Sequence, residues 1–339
     1  MLISIFLADE LSLLLGADPA VFEMTYTYLK VLLLFSPAFI ANNIITCFVR
    51  NDGAPTLAML AMTLGSFSNI IFDYIFIFPC QMGILGAVIA TGFAPVVGLM
   101  ILSRHFIQNR KVSPGKWTCV HPVRTAFSFK TTVAICSLGA SALITEVASG
   151  VVMIVFNLII LKLSGNIGVA AYGIIANLSL VVTSIFTGIS QGVQPIVSQA
   201  YGEQNMKIIR IYFRYSMILS TVLAILIYGI VTFGHVPLIA AFNETGNKEL
   251  FEIAKSGIYL YFTAFIFAGI NIISSAVFGA ANHPVQAFIL SILRGFVGII
   301  PAVVLLSVLL GMTGVWLAFP VAESLTTMVA IILLWKFFS

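Results

Sequence analysis

Two long apolar runs joined by a five-residue turn, from Thr56 to Ser103, constrain this chain more than anything else in it. The first arm reads TLAMLAMTLGSFSNIIFDYIFIFP and carries a single charge, Asp73. The turn is Pro79-Cys80-Gln81-Met82-Gly83, and the second arm, ILGAVIATGFAPVVGLMILS, carries no charge. Each arm has about the 20 apolar residues that a helix needs to cross a bilayer. In lipid every backbone N–H and C=O must be satisfied within the segment, so such runs become helices. The stretch therefore predicts a transmembrane helical hairpin.

A rise of about 1.5 Å per residue converts spacing into depth. Asp73 lies roughly 9 Å below the turn, Asn69 one turn deeper at roughly 15 Å on the same face, and Thr91 at roughly 12 Å on the other arm. A carboxylate, an amide oxygen and a hydroxyl can thus meet at one level. These are hard oxygen ligands, suited to a proton or a small alkali cation. The competing structural account is that Asn, Ser and Thr hydrogen-bond helix to helix, with Gly65, Ser66, Ser68 and Asn69 serving only as packing groups. A carboxyl group at depth is costlier, at least about 2.5–3.5 kcal/mol unless paired or employed, which favours a function for Asp73.

Composition agrees with a membrane protein: 60% of the 339 residues are hydrophobic and 8% charged, against about 25% charged in a soluble domain. Cys47, Cys80, Cys119 and Cys136 show no paired spacing, and His105, His121, His235 and His283 are scattered. A disulfide framework, a metal centre and a cofactor are not expected. The absence of a nucleophile–base pair or metal motif argues against an enzyme.

The chain opens in an apolar run, residues 1–16, that resembles the end of a helix and is broken at 17–20. Spans are expected over 25–49, 56–79, 84–103, 132–161, 168–195, 212–240, 256–281, 285–309 and 312–335. The segment 104–130 holds Arg104, Arg110, Lys111, Lys116, Arg124 and Lys130 with no acid, which marks an aqueous linker between residues 1–103 and 131–339. With that linker in the cytoplasm, Arg50, Lys207, Arg210, Arg214 and Lys336 fall on the same side, and only Lys162, Lys248 and Lys255 fall opposite. Asp73 then sits in the outer half of the membrane.

The chain also repeats itself at an offset of roughly 230 residues. Tyr28-Leu29 answers Tyr259-Leu260, the turn 50–55 answers 279–284, and Met82-Gly83-Ile84-Leu85-Gly86-Ala87 answers Leu310-Gly311-Met312-Thr313-Gly314-Val315. Two parallel repeats predict an all-α, polytopic transporter fold of two helical bundles. Spans 132–161 and 168–195 have no counterpart in the first half. A complete relative is therefore expected to carry about two and a half more helices before Met1.

These residues resemble the multidrug and toxic compound extrusion (MATE) transporters. The resemblance rests on Arg50-Asn51-Asp52-Gly53, Asn69-x-x-x-Asp73, Gly86-Ala87-x-x-Ala90-Thr91 and Gly188-x-x-Gln191-Gly192-x-x-Pro195-x-x-Ser198-x-x-Tyr201-Gly202. Thr145-Glu146-x-x-Ser149-Gly150-x-x-Met153 with Asn157 is similar to a bacterial subgroup that includes staphylococcal drug exporters. The resemblance implies a twelve-helix fold of two six-helix bundles in the bacterial cytoplasmic membrane. It also implies export of drugs, organic cations among them, against H⁺ or Na⁺ by alternating access. Asn69, Asp73 and Thr91 match three members of the family's cation site; the remaining member is expected on a first helix before Met1.

The other deep polar groups are candidates for substrate contact or coupling: Glu146, Asn157, Gln191, Gln194, Arg294 and Glu323. Glu146 could meet a cationic substrate or pair with Arg294, and the two glutamines could line a break before Pro195 or satisfy local backbone groups. Three deep acids against one deep cation point to cationic cargo. The expected partners are small hydrophobic drugs and the lipid bilayer, with no nucleic acid, and the chain is expected to be a monomer. Two alternatives stay open: a lipid-linked oligosaccharide flippase of the same superfamily, and a truncated fragment that does not transport.

Overall fold

The computed structural model describes residues 22–108, 128–243 and 246–339. The expectations for the opening run 1–20 and for Arg110, Lys111, Lys116, Cys119, His121 and Arg124 of the linker lie outside the described residues. The chain divides into two compact units, Met1–Thr125 and Ala126–Ser339. The described residues are helical throughout, apart from turns and short connections.

The first unit contains α1 (Phe22–Leu34), α2 (Ser36–Asn51), α3 (Pro55–Ile77) and α4 (Gly83–Gln108). Helices α1 and α2 form one bent span with an angle of 46°. Pro55 opens α3, where its missing N–H would be unpaired anyway. The turn to α4 uses positive φ at Gln81 (52°) and Gly83 (56°). Helix α4 runs beyond the expected span, so Arg104 and His105 are helical rather than part of a loop.

The second unit begins with α5 (Phe129–Gly202), which Gly165, at φ 61° and ψ −157°, breaks into arms of 129–164 and 166–202. A left-handed residue costs glycine little, which is why the break falls there. Next come α6 (Met206–Phe233), the short α7 (His235–Ala240), α8 (Lys248–Tyr261), α9 (Ala264–Ala280), α10 (Pro284–Ile292), α11 (Ile299–Leu310) and α12 (Met312–Phe338). Side chains of Ser128, Asn205 and Asn247 cap α5, α6 and α8. A π-helical turn, Leu293–Val297, joins α10 to α11. Among the described residues six helices are long and apolar enough to span a membrane, and the two bent pairs, α1–α2 and α8–α9, raise that to eight.

The internal repeat is visible in local geometry within each unit. The bent pair α8–α9, at 49°, matches α1–α2. Gly53 (φ 83°) and Asn282 (φ 56°) turn the chain before Pro55 and Pro284. Gly83 and Gly311 (φ 60°) make the next turn, and α4 and α12 each contain a proline, Pro95 and Pro320.

In lipid no hydrophobic force separates helix from tail, so close packing and polar contacts hold the bundles. Trp316, Phe156, Phe186, Phe262 and Phe265 are fully buried in the second unit. Ile70, Ile71 and Tyr74 on α3 point outward, as suits a lipid-facing surface.

Candidate functional site

The first candidate lies on the hairpin α3–α4. Ala58, Ala61 and Gly65 are buried along one stripe of α3, and Asn69 and Asp73, both half-buried, extend it in four-residue steps. Glycines set the register of the two arms. A Cβ on Gly98 would lie 3.5 Å from the Ala61 carbonyl oxygen, one on Gly65 3.0 Å from that of Ala94, and one on Gly86 2.8 Å from Phe76 Cβ. Stepping along the antiparallel arms between those contacts puts Asn69 level with Thr91, and Asp73 level with Ala87. Thr91 donates its hydroxyl to the Ala87 carbonyl at 3.0 Å. Its lone pairs remain available to a ligand.

Two features distinguish this stripe from packing groups that satisfy one another. Asn69 Nδ2 is buried and has no hydrogen-bond partner. Among the described residues, Asp73 takes part in none of the ion pairs. Phe72 and Phe93 meet edge to face at 6.0 Å beside these groups and lower the local dielectric.

The sequence reading missed two buried polar groups on α2, further along the first unit. Asn42 Oδ1 and Thr46 Oγ1 are buried without partners. Asn42 fits only because position 98 is glycine: a Cβ there would lie 2.5 Å from Asn42 Oδ1. The signal was available as a four-residue polar spacing in an otherwise apolar run, on the face opposite Cys47 and Phe48.

The second candidate is a cavity of about 190 Å³ within the second unit. Glu323, 1% exposed, is part of its lining. Arg294 Nε donates to Oε1 at 2.5 Å, and Asn271 Nδ2 donates to Oε2 at 2.6 Å and to the Glu323 carbonyl at 2.9 Å. Thr327 donates to Asn271 Oδ1 at 3.1 Å and completes the network. Arg294 stands on the π-helical turn, and Gly298 closes that turn by donating to the Leu293 carbonyl at 2.7 Å. Wider turns of this kind re-aim a side chain without ending the helix. Gly295 lets the first arm of α5 approach, since a Cβ there would lie 2.4 Å from Ala148 Cβ.

Sequence reasoning singled out Glu323 and Arg294 but missed Asn271 and Thr327. Asn271 is the only amide in α9, and Thr327 lies one turn from Glu323, so both carried a signal. Glu146 does not pair with Arg294, whose partner is Glu323 on α12; the Glu146 side chain is exposed. Asn157, Gln191 and Gln194 are half-buried on the two arms of α5, outside the cavity wall.

Comparison with known proteins agrees with this architecture. The sequence profile of the MatE family matches residues 1–75 and 142–304. The multidrug export protein MepA of Staphylococcus aureus (strain bovine RF122 / ET3-1) is 26% identical over 335 residues, covering 99% of this chain and 72% of MepA. The MepA of Staphylococcus saprophyticus is 27% identical with the same coverage. Among solved structures, a MATE protein in complex with MaL6 superposes with a TM-score of 0.89 at 20% identity, over 99% of this chain and 75% of that one. An outward-facing multidrug resistance MATE transporter gives the same TM-score, identity and coverage. The fold is thus that of MATE transporters, and with its profile matched over well more than half its length, the chain belongs to the MatE family.

Proposed function

We propose that the chain is a multi-pass multidrug exporter of the bacterial cell membrane that expels small hydrophobic drugs, organic cations among them, in exchange for inward-moving H⁺ or Na⁺. The relatives that carry the name multidrug export protein support the export half of the reading. The coupling half rests on one observation: a half-buried carboxylate, Asp73, on the same helical stripe as the unpartnered amide of Asn69. An intramembrane acid with no counter-charge among the described residues is expensive to keep, so its retention argues for use. In this reading Asp73 takes the proton or cation, and Asn69 and Thr91 supply neutral oxygens to it. Exchange follows if the site opens alternately to the two sides.

The test is ethidium transport by the full chain in proteoliposomes with an imposed proton or sodium gradient. The wild-type protein should move ethidium in response to one of the two. Asp73→Asn, similar in size and unable to ionise, should bind ethidium yet lose gradient-driven transport. Unimpaired transport by that variant would reduce Asp73 to a packing residue.

A further inference from the structure

The cavity of the second unit has a polarity that a count of its charges hides. Glu323 and Arg294 both line it. Their side chains are 1% and 20% exposed respectively. Both carboxylate oxygens of Glu323 are already occupied, by Arg294 Nε and by Asn271 Nδ2. Each oxygen is thus held by a donor within the protein, and with 1% of the side chain exposed Glu323 offers a ligand little surface. Arg294 has spent only its Nε among the described residues, and a guanidinium carries four further N–H donors on its two Nη atoms. Glu146 follows the wall residue Thr145 but is not itself in the wall. Of this ion pair, the guanidinium is the more exposed member and the one with unspent donors.

The rest of the wall mixes aromatic, hydroxylic and aliphatic side chains, Val152, Met153, Leu180 and Ile299 among the last. Tyr261 stacks on Phe319 with ring centroids 4.6 Å apart, and Tyr172 and Phe265 also face the space. Ser149 and Ser179 donate to the carbonyls of Thr145 and Ile175, at 2.9 and 2.6 Å. What these serines present to a ligand is therefore lone pairs. At about 190 Å³ the cavity is smaller than sites that enclose a whole drug-sized ligand, about 300–1,000 Å³. It suits one substituted ring.

We propose that this cavity is a binding site for an aromatic carboxylate. The carboxylate takes the free Nη edge of Arg294, the planar fork that matches it in two hydrogen bonds. The ring lies among Tyr172, Tyr261, Phe265 and Phe319, and an amino or hydroxyl substituent donates to Ser149 or Ser179. The inference goes beyond the coupling site of the first unit, and its test is equilibrium binding, which needs neither a gradient nor transport.

The probe is 4-aminobenzoate, titrated calorimetrically into the full chain in lipid nanodiscs. Saturable binding at one site is expected. The amide 4-aminobenzamide should bind at least tenfold more weakly. Arg294→Lys keeps a counter-charge for Glu323 but loses the fork, and should also weaken binding at least tenfold. Ala176→Phe fills the cavity from a wall position that belongs to neither the ion pair nor the serines, and should abolish binding in a protein whose thermal unfolding matches wild type. If Arg294→Lys does not fold, the amide and Ala176→Phe decide the matter. The proposal is overturned if the wild-type protein does not bind the probe, if the amide binds as well, if Ala176→Phe retains affinity, or if benzylammonium binds the cavity more tightly than the acid.

Discussion

His105 Nε2 donates to Asp52 Oδ2 at 2.7 Å, with both side chains 8% exposed, and ties the end of α4 to the turn between α2 and α3. Asp52 belongs to the Arg50-Asn51-Asp52-Gly53 motif, where Gly53 adopts φ 83°. The pair fixes that turn at the end of the unit away from Asp73.

Truncating Asp52 removes the acceptor of His105 Nε2. Asp52→Ala should destabilise the protein by about 1–3 kcal/mol, the cost of a buried polar group left without its bond. Asp52→Asn keeps an oxygen that can accept from His105 and should cost less. Thermal unfolding of the purified protein in detergent ranks the two. Equal losses would mean that the carboxylate charge, not the hydrogen bond, carries the contact.

Gly98 and Asn42 should behave as a coupled pair. Gly98→Ala forces a methyl group to within 2.5 Å of Asn42 Oδ1 and should cost about 1–3 kcal/mol through overpacking. Asn42→Ala removes an oxygen that has no partner, so it should be mild. The double variant should recover most of the loss. A double variant whose losses simply add would show that the two positions do not touch in the membrane.

The hairpin was legible because its information is local. Length, apolarity and one proline-glycine turn specify α3 and α4, and a four-residue spacing puts Asn69 and Asp73 on one face. The repeat was legible for the same reason, since turns such as Gly83 and Gly311 leave residue-level traces. The Arg294–Glu323–Asn271 network was not. Its members lie on α9, α12 and a π-helical turn, and no single helix period relates them. A count of deep charges also does not show that Glu323 is already held by Arg294 and Asn271. The partners of a buried charge depend on which helices abut, and spacing along one helix does not contain that.

Within the proposed coupling site the three groups should differ in weight. Thr91→Val removes an oxygen whose proton already serves the Ala87 carbonyl, and Asn69→Ala removes a neutral ligand. Each should weaken gradient-driven ethidium transport by roughly the tenfold that about 1.4 kcal/mol represents. Asp73→Asn should remove it altogether. Transport assays on all three, at matched expression, give the order; a Thr91→Val variant as dead as Asp73→Asn would make the hydroxyl, not the carboxylate, the centre of the site.

The Arg294–Glu323 pair gives the sharpest stability test. Two buried charges owe little net stability to each other, because desolvation offsets most of their attraction, but one charge left alone is costly. Glu323→Met leaves Arg294 beside Asn271 with no anion, and should destabilise the second unit by about 3–5 kcal/mol. Arg294→Met leaves a carboxylate held only by Asn271, and should cost about as much. Combining them replaces the pair with two side chains of suitable length, and the double variant should unfold near the wild-type temperature. It should also lose 4-aminobenzoate binding, since the guanidinium edge is gone. Fluorescence-detected size-exclusion chromatography after a heating series measures all four proteins in parallel. If the double variant is as unstable as the two single losses added together, the network holds the bundle through Asn271 and Thr327 rather than through the ion pair, and the cavity wall owes its shape to those hydrogen bonds.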